Sequence, residues 1–208
     1  MTRHLILSID TETGGFAPPA SLLTVGIVPA ILDLADHTVT RIDQPHHRLV
    51  RHRNYVTTPE ALAVSGIDPT THDAHPDAAY PAETDAHLSS LLVSLQVVHD
   101  FDAASTIFLA HNASFDDKFI RAYLPAFSGW MRGSICTMKL ATALRKKKVL
   151  NATTSKLAEL SRHIGLQQPD LHRADLDADL ALSFFEYALP LTRTARIRPA
   201  EFITRRTP

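Results

Sequence analysis

His4-Leu5-Ile6-Leu7-Ser8-Ile9-Asp10-Thr11-Glu12 is a short apolar run that ends on two carboxylates. Its length and its Leu/Ile content predict a buried strand that delivers Asp10 to a sheet edge. Residues two apart in an extended chain point to the same side, so Asp10 and Glu12 face one point near the strand end. Two anions so placed repel each other unless a cation lies between them, and hard divalent ions prefer oxygen ligands. Taken alone, the pair fits a surface Asp and Glu in a turn better than it fits a cation site.

Working outward, Gly14-Gly15 and Pro18-Pro19 break the strand, Leu22–Leu32 reads as a second and His46–Arg51 as a third. The polar connection Asp33–Pro45 has room for a short hairpin. Thr58-Pro59-Glu60 has the form of a helix start, with Thr as N-cap and Pro at the first helical position, and that helix ends near Gly66. Three prolines among several Asp and His predict a loop over 67–81. Leu88, Leu91, Leu92 and Leu95 share one face of a helix over Ala82–Val98. Thr106–Ala110 reads as a buried parallel strand. Ser114 is placed to cap a helix that runs to Leu124, where Pro125 stops it. Further helices are expected over Thr137–Lys147, Ser155–Ile164 with Gly165 as C-cap, and Arg173–Ala188. Strands early, helices late and alternation between them predict one α/β domain over residues 1–190. Its mixed five-stranded sheet has three antiparallel strands followed by parallel ones, flanked by helices. Residues 191–208, with five arginines and one glutamate, read as a basic tail.

The chain has 208 residues, enough for a substantial core, and 45% of them are hydrophobic. No apolar run reaches the roughly 18 residues of a bilayer span, and the N-terminus turns acidic too soon for a signal peptide. A single cysteine, Cys136, excludes an intrachain disulfide and a cysteine zinc cluster, so a cytoplasmic setting is expected. The net charge of −1 conceals a split. Residues 1–110 hold 13 acids against 5 basic residues, whereas residues 111–208 hold 9 acids against 16. Near-neutrality therefore does not exclude a nucleic-acid partner.

Two further segments carry chemistry. His111-Asn112-Ala113-Ser114-Phe115-Asp116 follows the Thr106–Ala110 strand and puts Asp116 in the first turn of a helix. His172-Arg173-Ala174-Asp175-Leu176-Asp177 enters the last long helix. Each alone is equally an acid that complements a helix dipole. In order along the chain, Asp10, Glu12, Asp116, His172 and Asp177 resemble the signature of the DEDDh 3′–5′ exonucleases. That superfamily has a ribonuclease H-like fold and includes proofreading epsilon-subunit-like and ribonuclease T-like branches. Pro59–Ile67, Ser134–Ala141 and Leu157–Leu166 are similar to its intervening segments, so the resemblance spans about residues 4–188. The H-x4-D spacing selects Asp177 over Asp175 and Asp179, and the Phe-Asp pair selects Asp116 over Asp117.

The resemblance implies hydrolysis of phosphodiester bonds at the 3′ ends of single-stranded DNA or RNA, releasing nucleoside 5′-monophosphates. It implies two divalent ions, Mg²⁺ with Mn²⁺ as a substitute, held by Asp10, Glu12, Asp116 and Asp177, with His172 as general base. Two such ions stabilise the attacking and leaving oxygens, and histidine ordinarily titrates near neutrality. By the same likeness Thr11, Thr13, Phe16, Glu60, Asn112 and Phe115 contact substrate, and Phe16 and Phe115 are the base-stacking candidates. Val64 stands where the ribonuclease T-like pattern has a further phenylalanine. A homodimer or a polymerase partner is consistent with the family, and a non-catalytic binding module on the same fold is the competing reading. Arg145-Lys146-Lys147-Lys148 suits phosphate contact and a solvated helix end alike.

Overall fold

A computed structural model describes residues 3–101, 105–166 and 172–206. Among these, seven strands form one sheet: β1 (Arg3–Thr13), β2 (Leu22–Asp33), β3 (Thr38–Arg41), β4 (His46–Leu49), β5 (Ile107–Ala110), β6 (Gly133–Cys136) and β7 (Ile203–Arg205). The order is β3-β2-β1-β5-β6-β7, with β4 also pairing β2. β1, β5 and β6 run parallel, and the remaining pairings are antiparallel. The five-stranded expectation is thus corrected to seven. β3 and β4 lie end to end along β2, because its 12 residues pair with β4 near the start and β3 near the finish. β7 adds an antiparallel edge to β6.

Nine helices pack around this sheet among the described residues: α1 (Pro59–Ser65), α2 (Pro69–Ala74), α3 (Pro81–Val98), α4 (Ala113–Tyr123), α5 (Pro125–Gly129), α6 (Thr137–Lys146), α7 (Leu157–His163), α8 (Ala174–Ala195) and α9 (Pro199–Phe202). Leu5, Leu7 and Ile9 of β1 pack with α3, α4 and α5 on one face. Ile6 packs on the other with α6, α7 and α8. The strand's period of two thus divides the interior into two cores.

Local chemistry explains most boundaries. Thr58 caps α1 by accepting from the Ala61 amide at 3.2 Å, and Gly66 ends it at φ 67. The 67–81 loop instead contains α2, whose Asp68 N-cap accepts from the Thr70 amide and whose Pro69 begins the helix rather than breaking it. Pro125 likewise starts α5 while ending α4, and Ser114 lies inside α4 after the Asn112 N-cap. The boundary at residue 190 falls within α8, which continues through Pro190 with Thr192 and Ala195 still buried beyond it. The basic tail, as far as it is described, is docked. Arg206 is buried, donates to the Ser128 carbonyl at 2.9 Å and pairs with Asp117. Residues 207–208 lie outside the described residues. No described helix is long and apolar enough to cross a membrane.

Candidate active site

The alternation that buries Ile6 towards α8 carries on along β1. Ser8 donates to the Ala178 carbonyl of α8 at 2.7 Å, so the next residues of that series, Asp10 and Glu12, follow on the same side. Thr11 belongs to the opposite series. Its amide and hydroxyl both donate to Asp116 Oδ1, at 3.0 and 2.8 Å, which fixes the start of α4 to β1. Between Glu12 and Thr13 the pairing with β2 slips by one residue, and the strand then turns into the Gly14–Ala20 loop. Such irregularities re-aim a strand at its end.

α8 brings the remaining acid. His172, at φ 77, and the N-cap Arg173 lead into the helix, and the His172 amide donates to Asp177 Oδ2 at 3.0 Å. Asp10, Glu12, Asp116, His172 and Asp177 all line one cleft of about 260 Å³, together with Thr11, Thr13, Phe16, Asn112 and Phe115. Every residue of the expected catalytic set is therefore in one place. Glu60 differs: it is exposed on α1, where Ala61 and Val64 provide the cleft wall instead. His111 and Leu157 also line the cleft. The only sign of His111 in the sequence was its place beside Asn112, and nothing local marked Leu157.

The neighbouring acids are engaged by arginines. Asp117 pairs with Arg121 at 2.9 Å and with Arg206. Asp175 is bonded by Arg173 at 2.7 Å, and Asp179 pairs with Arg41. Asp116 and Asp177 have no such counter-charge among the described residues. They are 3% and 7% exposed, and Glu12 is 8% exposed.

Burial dominates the electrostatics. It raises Glu12 to about 8, with the Asp177 and Asp116 charges adding to the effect. Asp116 rises to about 7, again through burial and despite the Thr11 hydrogen bonds. Asp10 is held well above the usual carboxylate range by burial and then by Asp116, Asp177 and Glu12, and burial also raises Asp177. Buried Asp177 Oδ1 has no hydrogen-bond partner among the described residues, and ligand atoms of Glu12, His172 and Asp177 all lie within 4.8 Å of one another. An orphaned oxygen amid mutually repelling carboxylates is what a divalent cation would satisfy, and an oxygen-rich donor set suits a hard ion. The residues present fit such a group.

A family model for exonucleases, RNase_T, matches residues 7–185. The chain belongs to this exonuclease family. That places it in the DEDDh-type exonuclease superfamily, and ribonucleases T are among its curated relatives. Ribonuclease T of Shewanella oneidensis is 33% identical over 113 residues, covering 54% of this chain and 49% of the relative. Ribonuclease T of Pectobacterium atrosepticum is 33% identical over 115 residues, covering 55% and 49%. The RNase_T-family chain thus matches about half the length of these relatives. Among solved structures, exonuclease I superposes with a TM-score of 0.66 at 19% identity, covering 95% of this chain and 42% of that one. Cell-death related nuclease 4 (CRN-4) gives 0.64 at 16% identity, covering 92% and 64%. Both share the ribonuclease H-like fold described above.

Proposed function

We propose that the protein is a metal-dependent 3′–5′ exonuclease that hydrolyses the terminal phosphodiester bond of single-stranded DNA or RNA and releases nucleoside 5′-monophosphates. The observation that carries this reading is the convergence of Asp10, Glu12, Asp116 and Asp177, from β1, α4 and α8, on one cleft without a neutralising arginine. These four would hold two divalent ions, Mg²⁺ or in its place Mn²⁺. Bound there, the ions supply positive charge to the scissile phosphate and to the attacking and leaving oxygens.

The side chains then have distinct tasks. Thr11 fixes the Asp116 carboxylate through two hydrogen bonds, so that it faces the cleft in one orientation. The His172 amide does the same for Asp177, leaving the second oxygen for a ligand. His172 is exposed at the cleft and takes the proton of the attacking water, passing it to solvent. Phe16, 77% exposed on the loop after β1, offers a face for the terminal base, and half-buried Phe115 supports it from α4. Phe16 lines the cleft with its ring exposed, so the ring is free to meet a base there.

Matched single-stranded DNA and RNA oligonucleotides, digested in Mg²⁺ or Mn²⁺ and in EDTA, test the reading. It requires nucleoside 5′-monophosphates as the first products, and only with metal. Binding without digestion in either metal would favour a non-catalytic module on this fold.

A further inference from the structure

Beside the cleft lies a groove of about 630 Å³ between α6 and the 153–156 loop, lined by Met138, Lys139, Thr142, Lys146, Ser155 and Lys156 among others. Its cations differ in what they already do. Arg145 is committed to the loop, donating to the Ala152 carbonyl at 2.7 Å and to the Thr153 carbonyl. Lys139, Lys146 and Lys156 are exposed, and no described carboxylate pairs with them. Glu159, just inside α7, is engaged by the Thr153 hydroxyl at 2.8 Å and by Arg162 at 2.6 Å.

The groove is also joined to the cleft. His111 lines the cleft and bonds both the Thr137 hydroxyl, at 3.0 Å, and the Ser155 backbone. Ser155 in turn lines the groove and meets the Thr142 hydroxyl at 3.0 Å. Lys156 lines the groove while its neighbour Leu157 lines the cleft. A strand whose 3′ nucleotide enters the cleft must carry the rest of its phosphates out past some part of the rim. The Ser155–Leu157 border is a part of that rim with unpaired cations beyond it.

Resting on the exonuclease reading, we propose that Lys139, Lys146 and Lys156 bind backbone phosphates on the 5′ side of the scissile bond, making this groove the exit track of a single strand. Arg145 and His111 are positioning residues that hold the loop wall of the track. The lysines recognise charge rather than base, so the track serves DNA and RNA equally.

The test uses the triple variant Lys139→Gln/Lys146→Gln/Lys156→Gln, whose altered side chains are all exposed. Binding of a labelled oligonucleotide of about ten nucleotides is titrated against salt in EDTA. Turnover of an aryl ester of a nucleoside 5′-monophosphate, which has no upstream phosphate, is measured in Mg²⁺. Single-strand contacts each contribute about 0.7 to the logarithmic salt slope, so the variant should lose about 2. Ester turnover should stay at the wild-type level. An unchanged slope overturns the track whether or not the ester is hydrolysed. A reduced slope with a wild type that hydrolyses neither substrate would overturn the catalytic reading and leave the phosphate contacts standing. Wild-type preference for polyglutamate over the oligonucleotide, abolished in the variant, would assign the groove to an acidic protein surface and overturn the proposal.

Discussion

Gly26 of β2 lies so close to Ala174 at the start of α8 that a Cβ at position 26 would come 2.0 Å from the Ala174 carbonyl carbon. Gly26 is also the residue paired with Asp10 across the sheet. The partner of the first acid therefore sets how nearly the helix carrying Asp177 can approach. Gly26→Ala should push α8 outward, lower stability by roughly 1–3 kcal/mol and abolish hydrolysis. Gly129→Ala, where a Cβ meets nothing within 4 Å, should leave activity unchanged. Thermal unfolding and turnover of both variants check this.

Adjacent aspartates at 116 and 117 should give opposite phenotypes. Asp116→Asn keeps an oxygen for the two Thr11 hydrogen bonds and removes an anion from a repelling cluster. It should fold with equal or greater stability in EDTA and lose hydrolysis. Asp117→Asn strips the charge partner from buried Arg206 and should lower stability by about 1–3 kcal/mol while turnover survives. Denaturant melts and rate measurements on the pair decide it.

The raised carboxylates make stability depend on pH in a definite direction. Glu12 titrates at about 8 and Asp116 at about 7 in the fold, against 4.5 and 3.8 as ordinary values. Groups with raised folded values stabilise fully below their unfolded values, and that stability is lost as pH rises through the folded ones. In EDTA the melting temperature should therefore fall progressively between about pH 4 and 8 from this source. Mg²⁺ or Mn²⁺ should reverse the loss, most strongly at the alkaline end. A metal-independent melting temperature at pH 8 would count against the four acids as a cation site.

Phe16→Ala tests the stacking face. The side chain is 77% exposed, so stability should change by less than about 0.5 kcal/mol. Removing one base platform is worth roughly 1–3 kcal/mol, which raises KM for an oligonucleotide by a factor of about 5 to 160. Steady-state kinetics on oligonucleotides with different 3′ bases measure it.

What could be read from the sequence follows the range of the forces involved. β1 and its two acids were legible because period-two alternation and a buried run are local signals. The Thr58-Pro59 helix start was legible for the same reason. Pro69 was misread because the same residue breaks one helix and begins another, and only the Asp68 cap distinguishes the cases. β6 and β7 have four and three residues; β6 pairs β5 from 26 residues away, and β7 depends on pairing with β6 about 70 residues away. In the site, motif spacing points to Asp116 and Asp177, whereas the arginines that engage Asp117 and Asp179, Arg206 and Arg41, come from 89 and 138 residues away. Glu60 was placed by likeness alone, and α1 turns it outward.

Digestion of a 3′-labelled and a 5′-labelled single strand by the wild type and by Asp177→Asn, in Mg²⁺, tests the central claim most directly. The wild type should release the 3′ label first while the 5′ label persists on progressively shorter fragments. Asp177→Asn, correctly folded, should leave both labels on full-length strand. Early loss of the 5′ label by the wild type, or wild-type rates from a folded Asp177→Asn, would contradict it.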